Sequence, residues 1–259
     1  MKRFALIGDG QVARYHRKAI EHVGGEIVWI VDPRHEDRSL YSSQLPVNLE
    51  ANHRFYRKLM DTIDYYVICS PSQFHRSQIQ YLLSNLNSTW KEFQIICEKP
   101  AFLPWEPPII SDKINIVLQL RYLPNLPERA ESVVAHFVRD EDYFKSWKGD
   151  PKNTGGLFYN LFIHYIYLAI QLGADFEGSV SESGYQARWI DTTTGDSIDI
   201  LDIDNQACYN LLYEDILSGG GIKPKDIFYL SWVLARNSEL FGYGKGGIGK
   251  TIRIGRDLL

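Results

Sequence analysis

The sequence is short of the features that mark several large functional classes. Only three of its 259 residues are cysteine, Cys69, Cys97 and Cys208. An odd count without metal-ligand spacing argues against a disulfide framework and leaves reduced thiols in a cytoplasmic protein as the expectation. No metal is expected. Lysine and arginine total 28 against 32 aspartates and glutamates, a net charge of −4, so the basic footprint of a nucleic-acid binder is missing. No apolar run approaches bilayer length. The opening Met1-Lys2-Arg3-Phe4-Ala5-Leu6-Ile7 reaches glycine before a signal-peptide core accumulates, so neither export nor a membrane partner is expected. Internal repeats and low-complexity tracts are missing too.

What remains is an ordinary globular composition, 44% hydrophobic and 23% charged, on a chain long enough for two modest domains. Phe4 to Ile7 is an apolar run ending at glycines. Val12, Tyr15, Ala19, Ile20 and Val23 follow at helical spacing, and Glu26 to Val31 reads as a second strand. The alternation continues with a helix around Arg54 to Met60, a strand Tyr65 to Cys69, a helix Ser77 to Leu86 and a strand Phe93 to Cys97. Strands alternating with helices predict a doubly wound parallel sheet of the Rossmann type. After Pro104-Trp105-Glu106-Pro107-Pro108, one more strand is expected over Ile114 to Leu120, and the boundary of a first domain, 1–121, near Arg121. The remainder, 122–259, predicts an α+β domain on a mainly antiparallel open sheet. Its expected strands include Glu131 to Val138, Tyr185 to Ile190 and Ser197 to Ile203, and its expected helices are Leu157 to Leu172, Tyr209 to Leu217 and Lys225 to Glu239. A glycine-rich tail runs from about 241 to 259, with a short strand at Thr251 to Ile254.

The first strand turns through Gly8-Asp9-Gly10-Gln11-Val12-Ala13 into a helix. Gly8 allows the tight turn, Gly10 lets backbone approach a pyrophosphate, and Ala13 permits close helix–strand packing. The helix end presents N–H groups and a positive dipole to the phosphates. About twenty residues on, Asp32 ends the second strand, where it can accept from the adenosine ribose hydroxyls and repel the extra phosphate of NADP. NAD is the expected cofactor, with Arg34 and Arg38 the argument for NADP. A second glycine loop, Gly244-Lys245-Gly246-Gly247-Ile248-Gly249-Lys250-Thr251, also fits the P-loop spacing, but only eight residues follow Thr251, too few for the α/β domain a P-loop serves.

Further motifs carry a family resemblance. Cys97-Glu98-Lys99-Pro100, at the end of the strand Phe93 to Cys97, resembles the Glu-Lys-Pro of the Gfo/Idh/MocA oxidoreductases. Ser70-Pro71-Ser72-Gln73-Phe74-His75 resembles that family's Thr-Pro-Asn-x-x-His. Gly155-Gly156-Leu157-Phe158-Tyr159-Asn160-Leu161-Phe162-Ile163-His164 resembles its Gly-Gly-x-x-x-Asp-x-Gly-x-His helix. Within the family, Val117-Leu118-Gln119-Leu120-Arg121, Ser146-Trp147-Lys148-Gly149-Asp150, Tyr213 to Gly221 and the asparagine at 160 are similar to the UDP-N-acetylglucosaminuronate 3-dehydrogenases, known as WlbA or WbpB. The sequence departs from the pattern at Phe162 (glycine in the family), Tyr167 (aspartate) and Cys208-Tyr209-Asn210 (Leu-His-Thr in the subgroup).

The resemblance implies oxidation of a sugar C3 hydroxyl on a UDP-sugar, for surface polysaccharide synthesis, by a homo-oligomer. It implies a cofactor site of Gly8, Gly10, Gln11, Val12, Asp32, Ser70, Pro71, Glu98, Lys99 and Gln119. Alcohol oxidation needs a hydride acceptor and a base for the hydroxyl proton, and Lys99 and His164 both qualify. The resemblance gives His164 the proton and Lys99 the orientation of the hydroxyl. Asn160 lies one turn before His164 on the same helix face. An anionic substrate calls for cations, for which Arg121, Lys148 and Arg139 are candidates. Substrate contacts are thus expected from Lys99, Arg121, Lys148, Asn160 and His164. His16 and His75 are expected to pack or cap. A dehydrogenase of a free sugar or inositol and a non-catalytic NAD-binding homologue are the rival readings.

Overall fold

The computed structural model describes residues 1–32, 62–86, 92–201, 203–227, 230 and 248–259. The chain divides into two compact units. One comprises Met1–Phe102, Pro108–Val117 and Tyr209–Lys225, the other Leu103–Pro107, Leu118–Cys208 and Asp226–Leu259.

In the first unit five parallel strands, β1 (Arg3–Ile7), β2 (Glu26–Val31), β3 (Tyr65–Ile68), β4 (Gln94–Cys97) and β5 (Ile114–Ile116), stand in the order β2-β1-β3-β4-β5. Strands covered on both faces need apolar side chains at successive positions, and every residue from Phe4 to Ile7 and from Tyr65 to Ile68 is buried. Helix α1 (Ala13–His22) buries Ala13, His16, Ala19 and Ile20 along one stripe, and α2 (His75–Leu86) buries Ile79, Leu82 and Leu86 in the same manner. Because β2 and β3 flank β1 on opposite sides, the strand order reverses at β1. The carboxyl ends of β1 and β3 therefore open the crevice where sheets of this kind bind ligands. The strand expected to reach Leu120 stops at Ile116, since its partner β4 ends at Cys97. Gln119–Tyr122 instead forms a 3-10 turn.

The second unit is built on a mixed sheet of β6 (Ala130–Val138), β7 (Asp175–Ser181), β8 (Ala187–Thr192), β9 (Ser197–Asp199) and β10 (Thr251–Ile254), in the order β10-β7-β6-β8-β9. Only β6 and β7 are parallel. The crossover between them contains α3 (Glu141–Lys145), α4 (Pro151–Thr154) and α5 (Leu157–Leu172). Strand β7, Asp-Phe-Glu-Gly-Ser-Val-Ser, carries too few apolar residues to announce itself, yet it buries Phe176, Gly178 and Val180 on one face.

The described end of the P-loop-like stretch is no phosphate loop. Thr251 opens β10 and pairs with Ser179 of β7, so a strand follows it where a P-loop requires a helix. Gly244–Gly247 and the expected helix at Arg54–Met60 lie outside the described residues. So does most of the helix expected over Lys225–Glu239, of which Pro224–Ile227 is a 3-10 turn. No helix among the described residues is long and apolar enough to cross a membrane.

Candidate active site

The turn after β1 distinguishes its two glycines. Gly8 has φ +108°, and a Cβ there would lie 2.7 Å from the Cys69 carbonyl carbon and the Ser70 nitrogen, where the chain leaves β3. The protein's own backbone thus demands glycine at position 8. A Cβ on Gly10 would meet nothing within 4 Å. Among the described residues nothing in the packing requires glycine there, and the open space fits a ligand's pyrophosphate. Helix α1 begins just beyond, with no side-chain cap on its N-cap Val12 and no acid in its first turn, so its positive end is not neutralised from within. Asp32, buried at the end of β2, accepts the backbone N–H of Asp9 at 2.8 Å, which fixes its carboxylate against the turn. Gln11 is exposed on that turn. These residues fit the adenosine and pyrophosphate of NAD.

The exits of β3 and β4 are clasped together by His75. Its Nδ1 lies 2.7 Å from the Pro100 carbonyl and its Nε2 2.7 Å from the Ser70 carbonyl. Ser70 in turn donates to Gln78 Oε1 at 2.7 Å, and Pro71 caps the 3-10 turn Ser72–Phe74 that leads into α2. Burial pushes the His75 pKa down. This histidine packs and positions. Cys69 and Cys97 are buried, and burial pushes both thiols well up, which keeps them from reacting as thiolates.

Glu98 follows β4 and is buried. Its Oε1 accepts from Tyr209 at 2.5 Å and from His16 Nε2 at 3.1 Å, and its Oε2 accepts the Lys99 N–H at 3.2 Å. Burial opposes the charge, but hydrogen bonds and the charge of His16, with Tyr209 and Lys99 behind them, hold the carboxyl down at about 2. His16 Nδ1 reaches the Tyr213 hydroxyl at 2.8 Å. Tyr209 and Tyr213 belong to helix α6 (Asn205–Leu217), whose residues from Tyr209 onward return to the first unit. Tyr209 stands where the subgroup pattern has histidine, and its hydroxyl makes the donation. Lys99 is half-buried beside this network, on a cis peptide to Pro100.

In the second unit Asn160 and His164 share a face of α5, four residues apart, and His164 is buried. Asn160 donates from Nδ2 to the Tyr143 hydroxyl at 2.9 Å. The other expected contacts are spread around them. The buried Tyr167 hydroxyl, the departure from aspartate, accepts from Gln171 at 3.0 Å, and burial raises its pKa against the charge of Arg121. Gln119 keeps a buried side-chain oxygen with no hydrogen-bond partner among the described residues. Lys148 is exposed on a 3-10 turn capped by Ser146, between helices capped by Asp140 and Asp150. Phe162 fills space: its ring packs 5.5 Å from Phe137 and 5.6 Å from Phe176, over Gly178, where a Cβ would meet both Phe176 and Phe162. Arg188 escapes inspection of the sequence because it stands in a strand of alternating pattern, yet it hydrogen-bonds Tyr165 at 3.1 Å and stacks on Phe137. Lys99 and the dinucleotide turn thus belong to the first unit, and Gln119, Arg121, Lys148, Asn160 and His164 to the second.

Comparison with known proteins agrees with this reading of the turn. Residues 2–107 match the oxidoreductase family, NAD-binding Rossmann fold, and residues 132–231 match its C-terminal alpha/beta domain. The structure is similar to that of the WlbA (WbpB) dehydrogenase from Thermus thermophilus in complex with NAD and UDP-GlcNAcA, at 26% identity, TM-score 0.70, over 91% of this chain and 94% of that one. A second structure of that enzyme, with NAD and alpha-ketoglutarate, matches at 25% identity, TM-score 0.68 and the same coverage. A myo-inositol dehydrogenase from Corynebacterium glutamicum shares the fold at 18% identity, TM-score 0.62, over 98% of this chain and 99% of that one. With both family domains matched in order and a dinucleotide turn shaped for the purpose, the chain belongs to the Gfo/Idh/MocA oxidoreductases and uses NAD.

Proposed function

We propose that the chain oxidises the C3 hydroxyl of a UDP-linked N-acetylglucosaminuronic acid to the 3-keto sugar, as a cytoplasmic homo-oligomer supplying surface polysaccharide precursors. The observation that carries this reading is the likeness, over 91% of the chain, to the Thermus thermophilus enzyme whose complex contains NAD and UDP-GlcNAcA. NAD, when bound, supplies the hydride acceptor. Gly8, Gly10, Gln11 and Val12 cradle its pyrophosphate, Asp32 accepts from the adenosine ribose, and Ser70, Pro71 and Gln119 complete the cofactor site. Glu98 contributes by holding the Lys99 backbone. Lys99 donates to the substrate hydroxyl and orients it, and His164 removes its proton. Asn160 donates to the sugar, and Arg121 and Lys148 face its negative charges. The first unit chiefly serves the cofactor, and the second chiefly serves substrate and oligomer.

The test is a single turnover, with protein in excess of UDP-N-acetylglucosaminuronate, read as reduction of NAD with and without 2-oxoglutarate. Reduction is expected, together with inhibition by UDP and a loss of about a hundredfold or more in rate for His164→Ala at unchanged NAD affinity. Turnover of free myo-inositol that ignores UDP would replace this reading with a free-polyol dehydrogenase. Bound NAD with no turnover of either compound would make the protein a non-catalytic relative.

A further inference from the structure

Two guanidinium groups in the second unit lie against one aromatic ring. Arg139 follows β6 and Arg188 stands on β8, and both rest on Phe137, 4.9 and 5.3 Å from its ring centroid. Neither forms an ion pair with an acid among the described residues. Arg139 donates to the Val138 carbonyl at 2.7 Å and to Gln186 Oε1 at 3.4 Å. Arg188 donates to the Tyr165 hydroxyl at 3.1 Å, and its Nε is buried without a partner. Asp140, the next acid along the chain, is occupied in capping α3, where it accepts the Tyr143 N–H at 3.0 Å. Burial lowers the Arg139 pKa and the charge of Arg188 adds to that, outweighing the opposing pull of Tyr143, Tyr165 and Asp140.

Two like charges drawn partly out of water, one with an unanswered donor, are unfavourable unless a counter-charge arrives. Guanidinium groups present forked donors that match the paired oxygens of a carboxylate or phosphate. Aromatic contacts hold these two in place. The Tyr143 ring lies 5.3 Å from the Arg139 guanidinium, and the Tyr143 hydroxyl accepts from Asn160, on the helix face that carries His164. We propose that Arg139 and Arg188 form one oxyanion subsite that binds a carboxylate or phosphate group of the substrate beside Asn160. Which of the two groups arrives rests on the sugar-nucleotide reading. The need for an anion rests on the arginine pair alone.

The test is calorimetric titration of the NAD-saturated protein with UDP and, separately, with D-glucuronate, comparing Arg139→Met, Arg188→Met and Arg188→Lys with the unaltered chain. One probe is expected to bind about tenfold or more weakly to each methionine variant, the effect of losing a charge-assisted hydrogen bond, with partial rescue by Arg188→Lys. Loss confined to UDP assigns the subsite to the diphosphate, and loss confined to glucuronate assigns it to the sugar carboxylate. Arg139 is half-exposed, so Arg139→Met keeps the test valid should Arg188→Met fold poorly. Unchanged affinities in folded variants, or no binding of either probe to the unaltered chain, overturn the proposal. Arginine-dependent binding without NAD reduction on UDP-N-acetylglucosaminuronate would overturn the dehydrogenase reading and leave the subsite standing.

Discussion

Glu98 stays ionised inside the first unit because three donors converge on it, from Tyr209, His16 and the Lys99 backbone. An ionised carboxylate only accepts, so His16 Nε2 must donate. With its folded value near 2, below the ~4.3 of an unfolded glutamate, Glu98 contributes stability that is fully present above ~4.3 and lost as pH falls toward 2. At ~1.4 kcal/mol per unit, the contribution is on the order of 3 kcal/mol near neutrality. Glu98→Gln is expected to lower unfolding free energy by that order at pH 7 in urea denaturation, and the gap should shrink to about half near pH 3. A gap independent of pH would mean that the carboxylate charge is not what the network stabilises. The glutamate is legible in the sequence as part of Glu-Lys-Pro. Its partners are not, since His16 is 82 residues away and Tyr209 111 away.

At the scale of elements, α5 shows how a departure from the family pattern is absorbed. A phenylalanine in place of glycine adds a ring at position 162, and the facing strand β7 makes room for it with Gly178. Three rings, of Phe137, Phe162 and Phe176, then form one apolar layer between helix and sheet. Restoring the family residue with Phe162→Gly removes a buried ring and introduces a flexible backbone into a helix interior, at a cost of roughly 4 kcal/mol or more. The urea midpoint should fall accordingly, and an unchanged midpoint would show that the ring is not part of the core. The helix itself is plain from its apolar run and its flanking glycines. Strand β7 is not, because its stability comes from pairing with β6 and β10 rather than from its own residues. The turns around Lys148 follow from Asp140, Ser146 and Asp150 acting as caps, a local signal that spacing of apolar residues does not carry.

For the molecule as a whole, cofactor binding should register as stability, since a ligand bound only by the folded state raises its melting point. NAD at about a hundredfold its dissociation constant adds ~2.7 kcal/mol, and NADP at the same concentration should shift the Tm less, because Asp32 opposes its extra phosphate. Gly10→Ala should abolish the NAD shift while leaving the ligand-free Tm unchanged, as its new methyl group meets only open space. An equal shift from NADP would overturn the argument from Asp32, and a lowered ligand-free Tm would overturn the argument from Gly10. The amino-acid sequence by itself determined the parallel sheet, the dinucleotide turn with its acid at Asp32, the helix bearing Asn160 and His164, and the short strand at Thr251. These rest on periodicity and on chemistry within a few residues, which a linear reading captures. Only the tertiary structure decided that residues 209–225 return to the first unit, that Glu98 is held by His16 and Tyr209, and that Arg139 and Arg188 share one ring. Those depend on contacts between residues far apart in the chain, for which no local pattern exists. The same distinction separates the two glycine loops: alike in spacing, one leads from a strand into a helix at the sheet's crevice, and the other ends in an edge strand.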